Sequence, residues 1–175
     1  MIFTDYHYKE HKLPKGRTFS WRPSVYALIT KNRKVLMIQS VCNGMWDLPG
    51  GGVKLGNMLT DELKREVFEE TGYKIKVKDE IPILLKSKYF YAPDIDKYFQ
   101  TLVMVFKAVL ASDEQQTDHI DFEKEVKEIK WVDIKELDQY RVAPLLLPIF
   151  KEIKKNKKKF KPFPPPRPSQ NSSRA

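Results

Sequence analysis

The stretch GGGVKLGNMLTDELKREVFEETGY, residues 50–73, decides how the rest of the chain is read. It opens on Gly50, Gly51 and Gly52, passes a short loop to Gly56, and then holds no glycine or proline until Gly72. An Asn57 side chain accepts hydrogen bonds from the first free N–H groups of a helix, and Gly72 is the residue type that ends helices in a left-handed conformation. The spacing predicts a helix over residues 58–71. At about 100° per residue, Leu59, Leu63 and Val67 fall on one stripe, with Glu62, Glu66, Glu69 and Glu70 on the adjacent arc.

Like charges at i and i+4 repel, so Glu62–Glu66 and Glu66–Glu70 each cost roughly a few tenths of a kcal/mol unless a cation sits between them. Mg²⁺ and Mn²⁺ are the obvious candidates, because hard divalent ions prefer carboxylate and carbonyl oxygen, and a glycine turn offers the latter. A lone E-x-x-E-E reads as a solvated helix face. Here the acids flank the apolar stripe instead of opposing it, and three glycines precede them where the backbone must come close to something.

The stretch resembles the Nudix box, G-x5-E-x7-R-E-U-x-E-E-x-G-U, where U is bulky and apolar. Gly51 takes the opening glycine, Arg65 and Glu66 the R-E pair, Val67 the first apolar place, Glu69 and Glu70 the E-E pair, and Gly72 and Tyr73 the close. Trp46, Pro49, Gly50 and Gly51 are similar to the family's W-x-x-P-G-G lead-in. One position departs: Asn57 stands where the family has its first glutamate. The resemblance implies metal ligation by Glu66, Glu69, Glu70 and the Gly51 carbonyl, with these carboxylates and Arg65 as the catalytic group. In the family the first glutamate commonly pairs with the box arginine, so its loss loosens Arg65 unless Glu62, three residues away on the same helix, takes over.

The chain of 175 residues is long enough for one domain with a proper core. The net charge of +9 sits at one end: residues 151–175 carry nine Lys/Arg against Glu152, a net of +8, which leaves +1 for residues 1–150. The body therefore makes no case for a broad nucleic-acid surface. The one cysteine, Cys42, excludes an internal disulfide, no apolar run reaches membrane-spanning length, and residues 1–12 lack the apolar centre of a signal peptide. The cytoplasm is the expected location.

Residues 1–21 form a polar and aromatic N-terminal extension expected over the domain edge, 22–153 the hydrolase domain, and 154–175 a basic, proline-rich tail. His7 and His11 lack a third ligand nearby and read as exposed polar residues. Strands are predicted at 24–30 and 34–40 as a hairpin, around 46–48, at 74–78, at 81–91 with Pro82 marking an edge, at 98–110 and at 126–132. Residues 111–125 read as a mobile polar loop. By the resemblance this loop brings one more acid to the metal, with Glu125 preferred and Glu123 second. A short helical turn is expected at 133–137, and an amphipathic C-terminal helix in the later part of 142–159, after Pro144 and Pro148.

The elements match an α/β/α sandwich with a mixed sheet between helices, the Nudix fold, over about residues 22–140. The implied reaction is hydrolysis of the pyrophosphate in a nucleoside diphosphate linked to X, by water activated on Mg²⁺ or Mn²⁺, with Glu66 as ligand or base and Glu125 or Glu123 as alternative base. Trp46, Tyr89 and Gln100, with Tyr91 and Phe99, are candidate substrate contacts that are equally good packing residues. Two other readings stay open: an RNA 5′-end pyrophosphohydrolase whose basic tail grips RNA, or a protein partner, and a weakened nucleotide-binding sensor marked by Asn57. No membrane partner is expected, and a homodimer is compatible with the sequence.

Overall fold

The structure, a computed structural model, describes residues 1–122, 124–144 and 147–155, the side chains of 152–154 excepted. In chain order the strands are β1 (Ile2–Thr4), β2 (Glu10–Lys12), β3 (Ser20–Lys31), β4 (Lys34–Ser40), β5 (Trp46–Asp47) and β6 (Gly50–Gly52). After helix α1 (Leu59–Thr71) come β7 (Tyr73–Val77), β8 (Leu84–Ala92), β9 (Lys97–Gln115), β10 (Val126–Asp133) and helix α2 (Leu147–Lys155).

The sheet runs β10-β4-β3-β9-β8-β1-β2, with β5 on β4, β6 on β3 and β7 on β9. It is mixed. β3 lies parallel to β9, with Val25 opposite Met104, and β1 meets β8 in parallel at Thr4 and Phe90; the other pairings are antiparallel. Side chains alternate across a strand, and here the alternation separates two cores. Val25, Ala27 and Ile29 of β3 and Met104, Phe106 and Ala108 of β9 pack with Leu63 and Val67 of α1. Leu28, Val103 and Val105 face the other way, onto Trp46, Leu48 and the α2 residues Ile149 and Phe150. The sheet therefore lies between two helices, the α/β/α sandwich the sequence implies.

Helix α1 starts at Leu59, after Met58 in an extended conformation, and ends at Gly72 with φ 71°, whose N–H donates to the Phe68 carbonyl at 2.8 Å. Asn57 does not cap it; no side chain does. The reason lies in the side chain's other partner, Glu62, described below.

Three sequence expectations shift. β9 continues to Gln115, so the first third of the expected polar loop is strand: Tyr73 pairs with Gln115 across a bulge, and Lys31 bridges Asp113 at 2.7 Å. β8 begins only at Leu84, because Pro82 cannot donate to a ladder. The N-terminal extension is a hairpin that adds to the sheet edge, with Phe3 fully buried against Phe19, Tyr89 and Tyr98. Leu146 and residues 156–175, which include most of the basic tail, lie outside the described residues, as does Glu123.

Candidate active site

The site is assembled where β6 meets α1. β6 pairs with β3, Gly50 opposite Tyr26 and Gly51 opposite Val25. Gly50 has φ 144°, and a Cβ there would lie 2.7 Å from the Tyr26 Cα; a Cβ on Gly51 would lie 2.6 Å from Oε2 of Glu66. Only glycine lets the sheet and the helix carboxylate approach the corner together.

Helix α1 delivers its acids to different partners. The Gly50 N–H donates to Oε2 of Glu70 at 2.7 Å. Arg65 bridges the others: Nη2 donates to Oε1 of Glu62 at 2.5 Å and to Glu66, and Nη1 donates to Glu69. Glu62, 1% exposed, also accepts from Nδ2 of Asn57 at 2.5 Å. Asn57, in the family's glutamate position, thus serves as a donor to the acid that engages Arg65.

The electrostatics divide accordingly. Arg65 beside Glu62 holds that carboxyl below its usual range, with Asn57 adding to the effect. Burial pushes Glu66 up, against the pull of Arg65. Burial pushes Glu70 well above the usual range; the Gly50 N–H opposes this, and Glu66, Asp47 and Glu125 reinforce it. Asp47 is pushed up to about 8 by burial, opposed by the Leu48 N–H at 2.8 Å. Asp47, Glu66 and Glu70 are acids gathered on one side of the glycine corner. Among the described residues, no three His, Cys, Asp or Glu side chains are disposed to hold a metal ion, and Arg65 engages Glu66 and Glu69.

Glu125 is exposed, its carbonyl accepting from the Val41 N–H at 3.1 Å, and its charge reaches Glu70. Asp47 and Arg22 belong to this neighbourhood but are not among the residues that the sequence singles out. Asp47 had a signal: Trp46 and Leu48 are both core, so the acid between them must face elsewhere.

Beside the corner opens a cavity of about 250 Å³ lined by Tyr6, Arg22, Asp47, Phe90, Phe99 and Thr101, among others. Two of the expected substrate contacts stand apart from this cavity. Tyr89 and Gln100 face each other across β8 and β9 but do not line it; their neighbours Phe90 and Phe99 do, because a one-residue step along a strand reverses the face. Trp46 also stands apart: it is 8% exposed, packs edge-on to Tyr140, and lies outside this cavity. A wider trough of about 640 Å³ runs between the start of α1 and β7, past Lys64, Lys76 and Lys78, and includes neither the glycine corner nor these acids.

A family model described as a NUDIX domain matches residues 20–153. The nucleoside triphosphatase NudI of Escherichia fergusonii is 30% identical over 108 residues, 58% of this chain and 71% of that relative. A MutT-like protein of Streptomyces ambofaciens is 35% identical over 60 residues, covering 34% of this chain and 38% of its own length. Among solved structures, the MutT protein of Methanosarcina mazei Go1 superposes with TM-score 0.59 at 24% identity, over 82% of this chain and 99% of that one. The MutT NUDIX hydrolase of Burkholderia pseudomallei gives TM-score 0.58 at 20% identity, over 76% and 98%. At these identities the structural likeness shows the fold.

Proposed function

The chain belongs to the NUDIX family as a pyrophosphohydrolase, and on that premise we propose that it cleaves the pyrophosphate of a small nucleotide, a nucleoside diphosphate linked to X. The observation that carries the reading is the meeting of Glu66 and Glu70 with the glycine corner, Glu70 on the Gly50 N–H and Glu66 against the space a Gly51 side chain would fill.

NUDIX hydrolases generally need divalent metal ions. The donor chemistry here fits one: every candidate ligand is oxygen, and Asp47, Glu66 and Glu70 are pushed up by burial in a way that a cation beside them would relieve. The ion, Mg²⁺ or Mn²⁺, would be held by the Gly51 carbonyl, Glu66, Glu69 and Glu70; when bound, it supplies charge neutralisation on the pyrophosphate oxygens and a more acidic water. A carboxylate takes the proton of the attacking water, and Glu66, against the glycine corner, serves as ligand or as that base. Glu125, on the loop before β10 and within electrostatic reach of Glu70, is the alternative acceptor. Arg65 keeps Glu66 and Glu69 in place through its planar fork. No covalent intermediate is required.

The cavity lies below the roughly 300–1,000 Å³ of sites that swallow a drug-sized ligand, a size that suits one base with part of its sugar and so supports the small-nucleotide reading. The relative named a nucleoside triphosphatase is in line with that choice. The sensor reading loses its ground at Asn57, since Glu62 supplies the anchor that Arg65 needs. The RNA 5′-end reading rests on a tail that is largely outside the described residues.

The test is a phosphate-release screen with Mg²⁺ and Mn²⁺ over nucleoside triphosphates, dinucleoside polyphosphates, ADP-ribose, NADH, nucleotide sugars and triphosphorylated RNA, with Glu69→Gln and Glu70→Gln as controls. Metal-dependent release from at least one small nucleotide, lost in both controls, is expected. Release that survives both substitutions, or that occurs only from RNA, sinks the proposal.

A further inference from the structure

The matched domain begins at residue 20, yet Tyr6 lines the cavity beside the glycine corner. Its ring meets Phe90 edge-on, with centroids 4.9 Å apart, and Cys42 lies near its hydroxyl. Phe90 and Phe99, each 8% exposed, form the aromatic wall with it. Ser24, Thr101 and Asp94 supply polar groups around that wall. Arg22 lies between this wall and the active corner. Its Cζ sits 5.2 Å from the Phe99 ring centroid, and its Nε would be 3.1 Å from a Cβ on Gly52.

The turn that carries Tyr6 is held from both sides. Asp5, 4% exposed, accepts at Oδ1 from the N–H groups of His7 at 2.7 Å and Lys9 at 3.0 Å, and its Oδ2 is 2.8 Å from Nε2 of His11. Beyond the cavity, Arg141 Nη2 donates to Nδ1 of His7 at 2.9 Å, and the Tyr8 hydroxyl donates to the Val142 carbonyl at 3.4 Å. Ala143 and Pro144, next in the chain, line the same cavity. Tyr8 has φ 65°, a left-handed conformation that a bulky residue keeps only when its surroundings impose it. The turn therefore spans the cavity mouth from the β1–β8 edge to the 141–144 segment.

We propose that residues 5–8 form a strap that completes the nucleotide pocket, with Tyr6 as a specificity-determining residue that takes the planar base of the substrate. Three aromatic rings with polar groups around them suit a flat heterocycle. Arg22 then lies where the first phosphate leaves the pocket toward the glycine corner, as a planar donor for phosphate oxygens. The strap deepens the hydrolase reading above and rests on it for the reaction, but not for binding of the base.

The experiment compares kcat/KM for nucleoside triphosphates with that for inorganic tripolyphosphate, in wild type, Tyr6→Ala and Tyr6→Phe. The preference for the nucleotide should fall about 5- to 100-fold in Tyr6→Ala, through KM, and be retained in Tyr6→Phe, which keeps the ring face. An unchanged preference in Tyr6→Ala overturns the proposal. The second arm needs no turnover. Alkylation of Cys42, the one cysteine and an exposed one, is timed with each of the four common nucleoside monophosphates and no added metal. Slowing in wild type that disappears in Tyr6→Ala is expected; no slowing by any of the four in wild type overturns the strap. Failure of every polyphosphate to be hydrolysed, with slowing still seen, defeats the hydrolase reading and keeps the strap.

Discussion

Two groups of carboxylates share helix α1, and they are treated in opposite ways. Glu62 is buried, but both of its oxygens have partners, Asn57 and Arg65, and its pKa falls. Glu70 is met by one backbone N–H, with Asp47, Glu66 and Glu125 near enough to push its pKa up. Burial works against the charge in both; at Glu62 the Arg65 guanidinium outweighs it, and at Glu70 a single N–H does not. The first group is a brace that is complete within the chain, and the second is an arrangement whose charge the chain leaves unbalanced.

The comparison is most easily broken at Glu70. Glu70→Gln should lower metal-dependent turnover by about 10²- to 10⁴-fold, the range for loss of an acid–base or ligand group, without lowering the melting temperature in EDTA. Phosphate release and a thermal melt check the two halves, and a large loss of metal-free stability would show that Glu70 belongs with the brace. Arg65→Met should do the reverse in EDTA: a cost of about 3 kcal/mol, the low end for breaking a buried pair because Arg65 is 30% exposed, read from urea midpoints.

Asp47 sharpens the contrast through pH. Its pKa rises from 3.8 unfolded to about 8 folded, so the folded state holds the extra proton between those values. Its contribution to stability is whole below pH 3.8 and is lost as pH rises toward 8, the slope being negative wherever the folded state binds more protons. In EDTA the melting temperature should drop by roughly 8–16 °C between pH 5 and 8.5, and Asp47→Asn should flatten that fall. A wild-type profile that rises over the range would refute it.

The smallest effect is expected at position 57. Asn57→Glu puts a carboxylate against Glu62 in place of a donor, so it should cost about 1 kcal/mol and change turnover less than roughly threefold. A large gain in turnover would show that Glu62 is an incomplete substitute.

Much of this was legible from side-chain order. The apolar stripe and Gly72 placed α1 to within one residue at its start, since helix periodicity and a left-handed stop are local properties. The Glu62–Arg65 pair was legible as an i,i+3 contact. Asn57 was misread as a cap because its sequence position permits both partners, and only the fold shows that Glu62 takes it. Tyr89 and Gln100 do pair across β8 and β9, but which face of a two-sided strand meets a cavity depends on what packs on each side. Tyr6 and Arg22 carry no local sign at all, because the strap reaches Phe90 and Val142 through pairings remote in the chain.

The parallel pairing of β1 with β8 also sets an order of assembly. Thr4 is synthesised before its partner Phe90, which emerges only after α1 and β7 have been made. Until then the N-terminal strand has no sheet edge to join, and Phe3 has neither Tyr89 nor Tyr98 to bury it. Long-range pairings of this kind form late because chain closure must come first. A nascent chain would thus possess its acidic helix well before it could discriminate between ligands, and the β1–β2 hairpin would settle after the helix it precedes in the chain.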